Sequence, residues 1–209
     1  MDTEKAKKSG QAEDGLAPIQ ASEGYIVVDE KKCQGCVACM LACSLVHEGV
    51  ESFSKSRIQV VQDPFGRWPN DLRIEQCRQC IDAPCVEACP EDALEPSSEY
   101  GGVRMVDTEK CNGCGLCVKA CPYSPSMLMR FEVINSEGKK RRKQMKCDLC
   151  ANTPFWDEQG GPKGKQACIE VCPVGAIALV SELKDPKDDS LYKVNLRDEG
   201  WVSLGYPKD

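Results

Sequence analysis

Sixteen cysteines constrain this chain of 209 residues more than any other feature, and they fall into four groups of four with none left over. Cys33, Cys36, Cys39 and Cys43 are spaced C-x2-C-x2-C-x3-C, as are Cys111, Cys114, Cys117 and Cys121. Cys77, Cys80, Cys85 and Cys89 widen one gap, to C-x2-C-x4-C-x3-C. Cys147, Cys150, Cys168 and Cys172 keep both ends but open the middle gap to seventeen residues. Pro90, Pro122 and Pro173 directly follow the fourth cysteine in three of the groups. Three thiolates on one tight turn grip three corners of a cuboidal iron–sulfur cluster, and a fourth on the next helix reaches the neighbouring cluster. Four complete sets imply four [4Fe–4S] clusters, cofactors whose chemistry is one-electron transfer.

Composition narrows the alternatives. The apolar share is 41%, but cysteines inflate it, and aromatics are only 6%. A core that thin leaves metal binding to supply much of the folding free energy, so the cluster-free chain is expected to be largely unfolded. The start, MDTEKAKKSGQAEDG, has neither an apolar stretch nor a twin-arginine pair. An export signal is therefore not expected, and a cytoplasmic location is. Cytosolic thiols stay reduced, which disfavours a disulfide scaffold. A zinc-stabilised scaffold is the alternative of another class, since C-x2-C pairs also build zinc ribbons. Against it stand triplets at spacing three and the Cys-Pro pairs. The formal charge of −6 disfavours nucleic acid as a partner, and no apolar run has the length of a membrane span. No Gly-rich nucleotide loop, C-x3-C-x2-C run or histidine-based site suggests an enzyme.

The chain repeats itself. Val28-Asp29-Glu30-Lys31-Lys32-Cys33-Gln34-Gly35-Cys36 matches Val106-Asp107-Thr108-Glu109-Lys110-Cys111-Asn112-Gly113-Cys114 at Val, Asp, Lys, Cys, Gly and Cys. Ala88-Cys89-Pro90 through Leu94 resembles Val171-Cys172-Pro173 through Ile177. This A-B-A′-B′ order is a statement about repeated structural units. In two-cluster ferredoxins a B-type half precedes an A-type half after a short loop. Groups two and three stand in that order, with twenty-one residues between Cys89 and Cys111. Groups four and one then form the other pair, bringing the chain ends together. The competing pairing, one with two and three with four, would need a 33-residue link inside one unit.

The expected fold is α+β: two bacterial-ferredoxin-like two-cluster modules, one continuous and one formed by the chain ends. Residues 1–23 read as a disordered leader, 24–76 as the first part of the outer module plus an insertion, and 77–130 as the inner module. Residues 131–180 complete the outer module with a hairpin and a loop insertion, and 181–209 form an extended tail. The predicted ligand sets are Cys33/Cys36/Cys39/Cys172, Cys147/Cys150/Cys168/Cys43, Cys77/Cys80/Cys85/Cys121 and Cys111/Cys114/Cys117/Cys89. Gly35, Gly113 and Gly115 let backbone pass close to a cubane and aim N–H groups at its sulfurs. His47, the single histidine, reads as a surface or capping residue because the cysteine count is already complete. Met40 reads as a packing residue. Lys139, Lys140, Arg141, Arg142, Lys143 and Lys146 read as a solvated hairpin tip, with a docking patch for an acidic partner, or a local positive field raising the fourth group's potential, as the alternatives. Tyr192, Trp201 and Tyr206 are candidates to clamp a partner, or to seal the protein's own second module.

All four cysteine groups in this order resemble the four-cluster subunits of dimethyl sulfoxide reductase-type molybdenum and tungsten oxidoreductases, over roughly residues 25 to 180. The resemblance implies the same ligand crossover between groups one and four and between groups two and three. Cys43-Ser44-Leu45-Val46-His47-Glu48-Gly49, followed by Ser56-Arg57-Ile58, is similar to small subunits of aldehyde:ferredoxin oxidoreductase-type tungsten enzymes. These include the aldehyde oxidoreductase complexes of anaerobes and the related benzoyl-CoA reductase complexes. The resemblance implies a non-catalytic subunit relaying single electrons between a larger tungsten- or molybdenum-pterin catalytic subunit and an electron-accepting or donating subunit. A free polyferredoxin serving a hydrogenase, formate dehydrogenase or carbon monoxide dehydrogenase is the alternative in the same chemistry.

Overall fold

The computed structural model describes residues 19–134 and 138–206; most of the predicted leader, 1–18, lies outside the described residues. Ser22 is already buried, and the Glu23 amide donates to the Gly101 carbonyl at 2.8 Å. The packed chain thus includes at least residues 22 and 23, inside the range that composition assigned to the leader.

Regular structure is sparse and comes in small pieces. Among the described residues, eight strands pair as four separate antiparallel ribbons. β1 (Tyr25–Val28) pairs with β8 (Ile177–Val180), and β2 (Ile58–Gln62) with β3 (Leu72–Gln76). β4 (Leu94–Ser97) pairs with β5 (Val103–Val106), and β6 (Met129–Ile134) with β7 (Lys140–Met145). The first ribbon closes the chain on itself: Val28 faces Ile177. The third repeats that register inside the chain, where Val106 faces Leu94. These are the residues that the internal repeat equates. Helix α1 (Ala38–Glu48) has eleven residues; α2 (Pro84–Glu87), α3 (Leu116–Ala120), α4 (Ala167–Glu170) and α5 (Glu199–Ser203) have four or five each. Two-stranded ribbons and one-turn helices are marginal on their own in water. Their stability must come from what they pack against.

What they pack against is a small apolar core in which five of fourteen members are cysteines. The main core cluster joins Ile26, Val28, Met40, Ile58, Ile74, Val103, Met127, Leu149 and Ile177 to Cys39, Cys43, Cys77, Cys147 and Cys168. Met40 is buried there, in its expected packing role.

The tail is not simply extended, because two aspartates nucleate local structure. The Asp188 carboxylate accepts from the Ser190 amide at the start of a 3-10 turn, Asp189–Tyr192. The Asp198 carboxylate accepts from the Trp201 amide and opens α5. Both are ordinary N-caps. Tyr192 is fully buried, edge-on to Tyr25 at 6.2 Å, with Oη 2.8 Å from the Arg78 carbonyl oxygen. Asp29, buried beneath β1, accepts from the Leu196 amide and pairs with Arg197 at 2.9 Å. In the second copy, Asp107 also accepts from the amide three residues on but recruits no tail. Tyr192 is therefore a core residue and not an available clamp. Removing its ring (Tyr192→Ala) is expected to cost about 3–5 kcal/mol, against about 1 kcal/mol for Tyr192→Phe. Thermal unfolding of the cluster-loaded protein checks both values.

Candidate metal centre

The sixteen thiols gather into four sets. One void is bordered by Cys33, Cys36, Cys39 and Cys172. A second is bordered by Cys43, Cys147, Cys150 and Cys168, and a third by Cys77, Cys80, Cys85 and Cys121. The remaining thiols face one another: burial pushes Cys117 up to about 11, helped by Cys111, Cys89 and Cys114 beside it. Each set thus mixes three cysteines of one group with one from another.

The local backbone explains how each loop turns around its void. The residue before the second cysteine of every group is left-handed: Gly35 at φ 67°, Gln79 at 50°, Gly113 at 74° and Leu149 at 54°. Sequence marks this turn only where glycine fills it, and Gln79 and Leu149 occupy the same strained position without announcing it. Amides then point at sulfur, from Ala93 to Cys89 Sγ at 3.3 Å, Ala176 to Cys172 Sγ at 3.2 Å and Arg57 to Cys43 Sγ at 3.3 Å. Gly113 serves a second purpose. A β-carbon there would lie 1.9 Å from the Arg142 carbonyl oxygen, because the β6–β7 hairpin packs directly on the group-three loop.

The thiol sets fit a cubane better than a single ion. Tetrahedral zinc draws four sulfurs to about 2.3 Å from one point. Among the described residues, no three Cys, His, Asp or Glu side chains come together closely enough to hold one metal ion; the thiols ring voids instead. The third void is also bordered by Arg78 and Arg104, whose Nη1 and Nε atoms respectively are buried without a hydrogen-bond partner. Guanidinium nitrogens left without a partner suit an anionic group that four thiolates and a cubane core would supply. Without that group, burial and neighbouring thiols push Cys39 up to about 12, and burial does the same to Cys85 and Cys150.

His47 corrects the reading from sequence: it is buried, not a surface residue. Its Nε2 lies 2.9 Å from Asp148 Oδ1, and its Nδ1 lies 2.7 Å from the Cys43 carbonyl oxygen and 3.8 Å from Cys43 Sγ. Both ring nitrogens face acceptors, which requires the doubly protonated ring. Burial opposes that charge, but the Asp148 and Cys43 hydrogen bonds outweigh it and raise His47 to about 9. Arg57 Nη1 completes the group at 2.5 Å from Asp148 Oδ2. The Cys43–x3–His47 spacing, one helical turn, was the available signal; Asp148, 101 residues away in the chain, carried none.

The basic run divides into three environments. Lys140 and Arg142 are exposed and face Glu132. Lys143 Nζ donates to the Thr108 and Cys111 carbonyls at 2.5 and 2.6 Å. Lys146 is buried, donating to the Arg104 and Cys147 carbonyls, so it does not belong to a solvated tip.

Residues 70–182 match the 4Fe-4S dicluster domain family. The chain is 37% identical over 148 residues to the aliphatic sulfonate oxidoreductase polyferredoxin-like subunit of Pyrococcus furiosus, covering 71% of this chain and 70% of that one. It is 32% identical over 173 residues to the electron transport protein HydN of Escherichia coli, covering 77% and 89% respectively. Among solved structures, the active-site complex BamBC of benzoyl coenzyme A reductase aligns over 87% of this chain and 86% of that one, with 21% identity and a TM-score of 0.35.

Asp148 holds two cations, so replacing it should damage the site more than replacing either partner. Asp148→Ala is expected to cost about 3–5 kcal/mol, the range for breaking a buried ion pair. Glu158→Ala, on the exposed Lys165 pair, should leave the unfolding temperature nearly unchanged. Thermal unfolding under anaerobic conditions compares the two.

Proposed function

Because this chain belongs to the 4Fe-4S dicluster family and transports electrons through [4Fe–4S] clusters, we propose that it is a four-cluster wire running in the order one, four, two, three. The observation that carries this reading is the exposure of the thiols. Of the sixteen cysteines, Cys36 in group one and Cys114 in group three are the exposed ones, whereas every cysteine of the mixed set Cys43, Cys147, Cys150 and Cys168 is buried. Group one reaches group four through Cys172 and Cys43. Group four meets group two where Gln79 Nε2 donates to the Cys147 carbonyl at 2.8 Å and Cys77 lies close enough to raise the Cys147 thiol further. Group two reaches group three through Cys121 and Cys89. The ligand sets are those predicted from the repeat, and the two units are a continuous ferredoxin-like module within residues 77–130 and an outer one closed by β1 and β8.

The wire's ends differ in surface chemistry, which bears on partners. Near Cys36, the Gln34 amide nitrogen contacts Tyr206 Oη, and Tyr206 packs edge-on to Trp68 and Trp201 at 5.3 and 4.9 Å. Phe65, on the same β2–β3 loop as Trp68, is 94% exposed. An exposed aromatic surface suits a stable partner, the larger tungsten- or molybdenum-pterin catalytic subunit in this reading. Near Cys114 stands the basic β6–β7 hairpin, which suits a transient acidic electron partner. The protein itself does no chemistry on substrate in this reading, and it works in the cytoplasm. Among the described residues no helix is long and apolar enough to cross a membrane. The free-polyferredoxin alternative gains from the burial of Tyr192, since that part of the tail seals this chain's own fold.

Two outcomes follow. Cys172→Ser should perturb the group-one cubane before that of group three, because the distant cluster loses its fourth thiolate. Cluster-resolved electron paramagnetic resonance reads this, and damage confined to the group-four cluster would count against the crossover. Electron exchange with an acidic ferredoxin should slow as ionic strength rises. Replacing Lys140 and Arg142 by Gln should flatten that dependence in stopped-flow measurements. A rate insensitive to salt in the unmodified protein would remove the hairpin from the pathway.

A further inference from the structure

The four thiol sets share one chemistry but sit in different electrostatic surroundings. The Cys33, Cys36, Cys39 and Cys172 void is otherwise bordered by uncharged side chains, among them Val37, Val60, Ile74 and Ile177. Glu30 adds a negative charge near Cys33 that, after burial and the neighbouring thiols, helps push its thiol up. Around Cys43 and Cys147, the cations Arg57 and His47 are balanced against Asp148, with Glu48 on Arg57 as well. The Cys111, Cys114, Cys117 and Cys89 set lies partly open to solvent at Cys114.

The Cys77, Cys80, Cys85 and Cys121 void is different: Arg78, Arg104 and Lys146 all border it, and all three are at most 2% exposed. Arg78 is partly neutralised by Asp189 at 2.7 Å and Glu75 at 3.8 Å. Arg104 and Lys146 bond to backbone carbonyls only: Arg104 to Gly102 and Ile81, Lys146 to Arg104 and Cys147. Among the described residues no carboxylate lies within ion-pair distance of either, although Asp148 is near enough for Lys146 to help hold its carboxyl low. Two basic side chains, buried and hydrogen-bonded to neutral oxygens, therefore face one thiol set. Burying such charges is costly unless a compensating charge is present.

We propose that the cubane held by Cys77, Cys80, Cys85 and Cys121 is the electron trap of the wire, its reduction potential raised above the other three by Arg104 and Lys146. The proposal rests on the ligand sets given above and adds to them a ranking of the centres. Reduction moves one electron from an adjacent cubane onto this one, oxidising the donor by one unit; no proton or bond changes place. The added negative charge interacts with both cations in a medium of low effective dielectric, which favours the reduced state. An interior trap gives the wire a place to hold one electron between encounters at its two ends.

The test is a dye-mediated redox titration of the cluster-loaded full chain, followed by electron paramagnetic resonance. Arg104→Gln and Lys146→Gln, on different elements, should each lower the same most positive wave. The expected loss is at least tenfold in its reduction equilibrium, which is about 59 mV for one electron. Lys163→Gln, which removes a cation 86% exposed at the surface, should move no wave. Arg104→Lys and Lys146→Arg keep the charge and should keep the potential, even where the neutral variants assemble poorly. Four cubanes with waves that do not move, or that move equally in the Lys163 control, would overturn the charge assignment alone. A native chain assembling fewer than four cubanes would overturn the ligand sets beneath it.

Discussion

Bringing four thiols together, four times over, is the constraint from which the rest of the structure follows. Three groups bring three thiols from one short loop, group four brings Cys147, Cys150 and Cys168 together across a long loop, and each set takes one thiol from another group, so no loop is complete by itself. Ribbons of two strands and helices of one turn could not hold such turns against the entropy of the chain. Bound clusters could, because the ligand bonds are then folding energy. The thiols themselves express this dependence. Burial and crowding push Cys39, Cys85 and Cys150 to about 12, so their negative forms are disfavoured until iron accepts the charge. Chelation of iron should accordingly unfold the protein rather than leave an empty scaffold.

The same geometry separates what is repeated from what is specialised. The Val-Asp turn, the strand pairing and the left-handed residue before the second cysteine recur in both copies. The additions do not recur. Asp29 recruits the tail, whereas Asp107 caps only its own turn. Arg57, His47 and Asp148 build a buried charge group beside Cys43, and its counterpart Cys121 has Tyr123 and Arg78 nearby instead. The repeat supplies similar thiol loops, and side chains that differ between the copies give the sets different charged neighbours. A wire needs that difference, because identical centres would give electrons no preferred position.

Much of this was legible in the residues. Spacing between cysteines dictated the cofactor, and the match of Val28–Cys36 to Val106–Cys114 anticipated that the chain ends come together. Glycine at 35 and 113 marked two of the four left-handed turns. Gln79 and Leu149 hid the other two, since tertiary packing, not local preference, forces their conformation. His47 was misread because a complete set of cysteines left it no obvious task, and its partner Asp148 is distant in sequence. The tail was misread in part because Asp188 and Asp198 are caps on very short elements, below the length at which periodicity is visible. Burial of Arg78, Arg104 and Lys146 had no sequence signal: cations in a charged, irregular chain look like surface until the fold encloses them.

The most direct measurement of the central claim is iron-edge anomalous diffraction from crystals of the cluster-loaded protein. Four cubane-sized peaks in the order one, four, two, three are predicted, with Cys43 bonded to the cubane of Cys147, Cys150 and Cys168, and Cys89 to that of Cys111, Cys114 and Cys117. Cys43 and Cys89 instead exchanged between the cubanes of groups one and two, or single-ion peaks in place of cubanes, would contradict the account.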